Sequence, residues 1–251
     1  GAQKLFDSYF QVERAAGSPV DMLRAAMAQA LPVCVADIET GADLSDEQLA
    51  TLARGLHRLA DWALVPTTMP DHTLRKIEAD ALFRWKQQHQ LFFLIIHGML
   101  YLLHVLEEAL DKQHAPVTQA ILTDFADLME ASTVAFQITA DFSTEAYEDR
   151  IRPDMTSHDP HFSGLFYADH KELVTSLRVL KRVPDDFEDE LERIGTAISE
   201  TYDVHARVCL RFVGETSSLA SKDDSRVAAE SIRGKYVKRT KVIAGLANPR
   251  G

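Results

Sequence analysis

Apolar positions recur with a helical period along nearly the whole chain, and the alternation of a strand is almost absent. Asp21 to Leu31, following Gly17-Ser18-Pro19, predicts a first amphipathic helix. Ser45-Asp46-Glu47-Gln48 has the form of a capping box and opens a helix that runs to about Leu64. Pro66 and Pro70 break the chain, and a helical pattern then runs from Asp71 to about Lys112. Pro116 starts another helix that ends near Ala140. Asp141 to Gly164 differs: Pro153, Pro160, His158, His161 and several short polar residues predict a loop or short-helix lid over a site. Tyr167 to Arg182 and Asp185 to Val213 resume the helical pattern on either side of Pro184. Ser217 to Arg226 is polar, and Val227 to Leu246 predicts a closing helix. The most apolar run, Leu91 to Leu106, is too short for a bilayer and carries His97, Gly98 and His104, so a buried core helix is expected.

A chain of 251 residues can bury one substantial core, and one helical domain over residues 1–251 is expected. The net charge of −11, with no offsetting basic stripe, argues against nucleic-acid or anionic-membrane partners. The basic cluster Arg233 to Lys241 reads as one solvated helix face. Cys34 and Cys209 cannot build a disulfide framework, and no secretory signal opens the chain, which points to the cytoplasm.

The candidate chemistry lies in two histidines, His97 in the apolar run and His205 in the helix from Val204 to Gly214. Imidazole is costly to bury without a partner. Two such residues suggest a shared internal ligand, and a heme fits between facing helices of a bundle. The plain alternative for each is a hydrogen-bonded core histidine. A di-metal carboxylate site would need Glu-x-x-His pairs; no histidine here has Glu three residues before it, and only Asp111 precedes His114 at that spacing. His158-Asp159-Pro160-His161 could grip a metal. His89, His97 and His104, eight and seven residues apart, fall within one helical face. Burial should be deepest at His97, with His89 and His104 hydrogen-bonded at the ends of the run. His205 and Cys209 are four apart, hence one turn apart on one face. With iron on His205, the Cys209 thiol would point toward the porphyrin edge, where it could add to a vinyl group; otherwise it packs as a small hydrophobe.

These residues resemble a known family. Phe93-Leu94-Ile95-Ile96-His97, with Leu102-Leu103 and Glu107-Glu108-Ala109-Leu110, looks like the distal-histidine helix of tryptophan 2,3-dioxygenases. His205-x5-Arg211-x2-Gly214 is similar to their proximal, heme-ligating helix. Thr139-Ala140-Asp141-Phe142, then Tyr147 and Pro153, is similar to the segment that binds the substrate carboxylate. The glycine-rich run of those enzymes reads here as Glu215-Thr216-Ser217-Ser218-Leu219, and the arginine expected after the aromatic at Tyr147 reads as Glu148, with Arg150 and Arg152 nearby. His205-x3-Cys209 instead resembles the HxxxC motif of heme-dependent tyrosine 3-hydroxylases, a branch of the histidine-ligated heme-dependent aromatic oxygenases.

The resemblance implies an all-α, tryptophan 2,3-dioxygenase-like bundle enclosing one heme, in a homo-oligomer. It implies His205 as the axial ligand, Cys209 and Arg211 beside the heme, and a possible thioether through Cys209. It implies His97 as the distal acid–base group that assists O–O cleavage. Arg150, with Arg152 second, is expected to hold the substrate carboxylate by bidentate hydrogen bonds. Tyr147, Ser157, His158 and Phe162 are expected to line the pocket. The implied reaction hydroxylates L-tyrosine, or a close derivative, at the ring 3-position with hydrogen peroxide, giving 3,4-dihydroxyphenylalanine for antibiotic biosynthesis. Two alternatives stand beside it: an O2-dependent oxygenase acting on tryptophan or another indole, and a non-catalytic helical heme-binding or interaction protein.

Overall fold

The structure, a computed structural model, describes residues 1–63, 80–160, 162 and 167–213. The expected start of the long helix at Asp71, His161, Gly214, the run Glu215 to Leu219 and the closing helix Val227 to Leu246 lie outside the described residues. Within them the chain is all-α, as its periodicity predicts, and no strand occurs among them.

The centre is a hairpin of α4 (Ala81–Asp111) and α5 (Ala115–Thr139), joined by a three-residue turn. Its facing residues Leu91, Ile95, Leu106, Ile121, Leu122, Phe125 and Leu128 are fully buried. Each such side chain contributes about 1.5–3 kcal/mol relative to exposure, which is why this pair anchors the fold. α3 (Asp46–Trp62) and α9 (Glu188–Val213) pack on α5, whereas α2 (Pro19–Glu39) and α8 (Ala168–Ser176) pack on α4. α9 thus meets the centre through α5, not through α4.

Local signals explain the ends. The expected capping box is present: Ser45 Oγ accepts from the Gln48 N–H at 3.2 Å, and Gln48 Oε1 accepts from the Ser45 N–H at 2.9 Å. α2 does not stop before Pro32 as the sequence suggests; it continues to Glu39. Proline removes one backbone donor, but the following turns bury Cys34, Ala36 and Asp37, and packing on α4 outweighs the lost bond. α1 (Ala2–Phe10) is an element the sequence pattern does not predict; Phe6, Tyr9 and Phe10, at helical spacing, bury its inner face.

Two glycines set how closely α3 approaches the hairpin. A Cβ on Gly55 would stand 2.3 Å from the Ala131 Cβ and 3.1 Å from the Asp127 carbonyl oxygen; one on Gly98 would stand 2.1 Å from Leu59 Cδ2. Around this crossing Asp127, almost fully buried, takes Arg54, Arg58 and Arg193 from α3 and α9. Burial works against its charge, but Arg193 and Arg58 outweigh that and hold the carboxyl below its ordinary range.

The expected lid forms as short helices: α6 (Thr144–Ala146), a π-helical turn (Tyr147–Ile151) and α7 (Arg152–His158). The Arg152 N–H reaches back five residues to the Tyr147 carbonyl, just where Pro153 has no N–H to donate. A 3-10 segment (Leu177–Arg182) extends α8, Arg182 pairs with Glu107 and Asp111 on α4, and the chain turns at Pro184 into α9.

Candidate functional site

The wall of α9 carries the strongest chemistry. His205 is partly buried, with its ring 5.0 Å edge-on from Phe136 of α5. Burial first, and the charge of His170 on α8 second, push its pKa down to about 4, so the imidazole is neutral and its nitrogen lone pair is free at neutral pH. Cys209, one turn on, is buried, and desolvation raises its thiol to about 11. Tyr147 lies against this wall: it is fully buried, stacks on Phe212 at 4.7 Å, and burial pushes its phenol up to about 12. The structure therefore brings His205, Cys209 and Tyr147 together. It adds His170, which no spacing in the sequence singles out because it stands thirty-five residues away on another helix.

His97 is placed differently from expectation. It is not the most buried position of the run: its side chain is 44% exposed and its Nε2 lies 3.3 Å from Asp169 Oδ2. The buried histidine is His89, sandwiched against Phe10 (4.5 Å) and Trp85 (4.2 Å), with Nδ1 2.6 Å from the Trp85 carbonyl oxygen. Desolvation lowers its pKa to about 4. The reason is angular. At about 100° per residue, His97 and His104 fall nearly in line, while His89 lies about 80° round the helix from His97. A run that is apolar on all sides conceals which of those faces meets solvent. His97 instead meets α8: Arg14 forks onto both Asp7 and Asp169, and with His97 it outweighs the burial penalty and holds Asp169 well below the usual carboxylate range.

The expected substrate residues divide. Phe162 and His158 do come together, 4.6 and 5.3 Å from the Tyr9 ring. His158 is exposed and its Nε2 contacts the Leu5 carbonyl at 3.0 Å. Ser157 is also exposed, and its hydroxyl donates to the Asp154 carbonyl at 2.9 Å. Arg150 is more than half exposed and pairs with Asp80 at 2.8 Å. Arg152, largely buried, pairs with Glu148 at 3.0 Å and lies 5.3 Å over the Tyr147 ring. Arg211 donates to the Ala140 and Phe142 carbonyls at 3.3 and 2.6 Å. Asp141 between them accepts from Arg84, so the 139–142 segment is a braced corner. The residue that sequence reasoning missed altogether is Tyr9, whose signal was the Phe6-x2-Tyr9-Phe10 spacing ahead of Gly17.

The family model of the SfmD 3-methyl-L-tyrosine peroxygenases matches residues 1–194, more than three quarters of the chain. The chain belongs to that peroxygenase family. A 3-methyl-L-tyrosine peroxygenase of Streptomyces lavendulae is 26% identical over 248 residues, which cover 92% of this chain and 68% of that protein. No solved structure matches the chain. Residues 1–194 take in α1 to α8 and the start of α9, so the SfmD-type match ends before His205 and Cys209. Family membership and the α9 wall are therefore separate observations that point the same way.

Proposed function

We propose that this chain is a heme-dependent peroxygenase that hydroxylates the ring of L-tyrosine or a close derivative such as 3-methyl-L-tyrosine, next to the phenol hydroxyl. The observation that carries the reading is the neutral, buried imidazole of His205 one turn from the buried Cys209 thiol, in a member of the SfmD 3-methyl-L-tyrosine peroxygenase family. The surroundings fit a heme: an uncharged nitrogen donor, a thiol on the same face, and Phe136, Tyr147 and Phe212 as apolar neighbours. When bound, heme iron activates peroxide, so that one oxygen enters the aromatic C–H bond and the other leaves as water.

His205 would hold the iron, and Cys209 stands where a single thioether can form. His170 is the second imidazole acting on that site, either as a further ligand or as the group that gives and takes a proton. The acid–base role implied for His97 would have to act through its contact with Asp169. Tyr147, raised to about 12, stays a neutral phenol. The braced corner at 140–142 keeps Phe142 against Phe212 at 5.2 Å and closes that end of the wall to water.

The test is the absorption spectrum of the purified full chain, titrated with L-tyrosine, 3-methyl-L-tyrosine and L-tryptophan. A Soret band that shifts with the two tyrosines and not with tryptophan is expected. A response to tryptophan alone would replace the reading with an indole oxygenase, and a band that responds to none would leave a heme carrier. His205→Ala should lose stoichiometric heme or change its ligand-field spectrum. His170→Phe separates its two roles: a changed resting spectrum marks a ligand, and an unchanged one with lost turnover marks the proton-transfer group.

A further inference from the structure

Two buried donors on facing helices have no acceptor. The Tyr9 hydroxyl of α1 and the Trp85 indole N–H of α4 are buried, with residues 3% and 9% exposed, and neither closes a hydrogen bond. A buried donor left unmade typically costs about 1–3 kcal/mol, and folded proteins rarely tolerate it. These two stand at one place, since Trp85 and Asp154 of α7 both act on the Tyr9 hydroxyl. Lys86, the residue after Trp85, has Nζ 2.8 Å from Asp154 Oδ2 and 4.5 Å over the Tyr9 ring centroid. That ion pair is partly open, with side chains 26% and 30% exposed. Phe162 and His158 flank the same Tyr9 ring, and His89 flanks Trp85.

One chemical group matches this set. An α-amino acid head carries a carboxylate, which needs donors, and an ammonium, which needs a carboxylate, on one carbon. We infer that Lys86, Tyr9 and Trp85 receive the α-carboxylate of the substrate and Asp154 its α-ammonium. Entry exchanges one partly exposed ion pair, of a kind worth about 0–1 kcal/mol, for two pairs of the same kind and gives both idle donors an acceptor. The aromatic rings around Tyr9 suit an aromatic side chain on that carbon. The inference rests on the reading of the chain as an enzyme for a tyrosine-type amino acid. It moves the carboxylate anchor from Arg150, which is paired with Asp80 at the surface, to Lys86.

Calorimetric titration of the heme-loaded full chain tests it with four ligands: L-tyrosine, 3-methyl-L-tyrosine, tyramine, which lacks the carboxylate, and 3-(4-hydroxyphenyl)propionate, which lacks the ammonium. Losing a hydrogen bond to a charged group typically costs about 10- to 100-fold in Kd. Lys86→Met should weaken L-tyrosine by that factor and leave tyramine unchanged. Asp154→Asn should weaken L-tyrosine and leave 3-(4-hydroxyphenyl)propionate unchanged. Tyr9→Phe should weaken the two carboxylate ligands more than tyramine and should not lower the unfolding midpoint of the ligand-free protein, because its hydroxyl has no protein partner to lose. If wild type binds the tyrosines and Lys86→Met binds them equally well, the inference fails while the functional reading stands. A drop in midpoint for Tyr9→Phe would mark a buried structural water and would also overturn it. Failure of wild type to bind either tyrosine would remove the functional reading and the inference together.

Discussion

Arg84 should be the least replaceable charged residue of the bundle. All five of its N–H donors are used: Nε on the Asp37 carboxylate at 3.1 Å, Nη1 on the Asp141 carbonyl and carboxylate, and Nη2 on the Asp37 carbonyl and Thr40 hydroxyl. The Arg84 side chain is 7% exposed and that of Asp37 is 0% exposed, so the pair is desolvated. Arg84→Met would leave the Asp37 carboxylate with Gln88 Nε2 as its remaining side-chain donor, at 2.8 Å. Orphaning one partner of a buried pair typically costs about 3–5 kcal/mol, a large share of the roughly 5–15 kcal/mol that holds a domain folded. Replacing both partners removes the orphan: Arg84→Met with Asp37→Leu should recover most of the loss. Urea unfolding followed by far-ultraviolet circular dichroism measures this. With a slope of about 3 kcal/mol/M, the midpoint should fall by more than about 1 M for the single variant. A double variant as unstable as the sum of the two singles would refute the reasoning, because it would mean that lost packing, not an uncompensated charge, sets the cost.

Gly98→Ala should lower stability by about 1–3 kcal/mol through overpacking against Leu59, and in a Leu59→Ala background the same change should become neutral or stabilising, which a double-mutant cycle would show. His89 keeps its proton off down to about 4 in the folded chain, against an ordinary histidine value of 6.5. The unfolded chain therefore takes up a proton that the folded chain refuses, and stability falls as pH drops from about 6.5 to 4, by about 3 kcal/mol at 1.36 kcal/mol per pKa unit. His89→Phe should flatten that part of the urea-midpoint profile between pH 7 and pH 4.5; an unchanged slope would place the titration elsewhere. Acid–acetone extraction should leave heme on the wild-type polypeptide and remove it all from Cys209→Ser, whereas complete extraction from wild type would show that Cys209 only packs.

The bundle was legible because its signals are local. The box at Ser45 and Gln48, the break at Pro184 and the turn before Pro116 each act within one helical turn, and each stands where the sequence puts it. α1 was illegible because nine residues offer barely two turns of period, and what holds it is contact with Phe93, Phe162 and Tyr167 from elsewhere in the chain. For the site, the α9 motif could be read because its two residues share one helix. The setting of His97 could not be, since a stripe of solvent contact leaves no mark in a run apolar on every side. The pairing of Lys86 with Asp154 joins residues sixty-eight apart and depends on where α7 points.

That direction has a consequence for how the chain can change length. The π-helical turn holds one residue more than an ordinary turn. Deleting one of the exposed residues Glu148 to Arg150 would let the helix close normally, with no loop disturbed and no core residue lost. Everything after it would then rotate by about 100°, carrying Asp154 off Lys86 and His158 off Tyr9. A single-codon deletion there would look harmless in an alignment and would re-aim a whole wall of the molecule, whereas the same deletion between Gln11 and Gly17 would shorten only a connection.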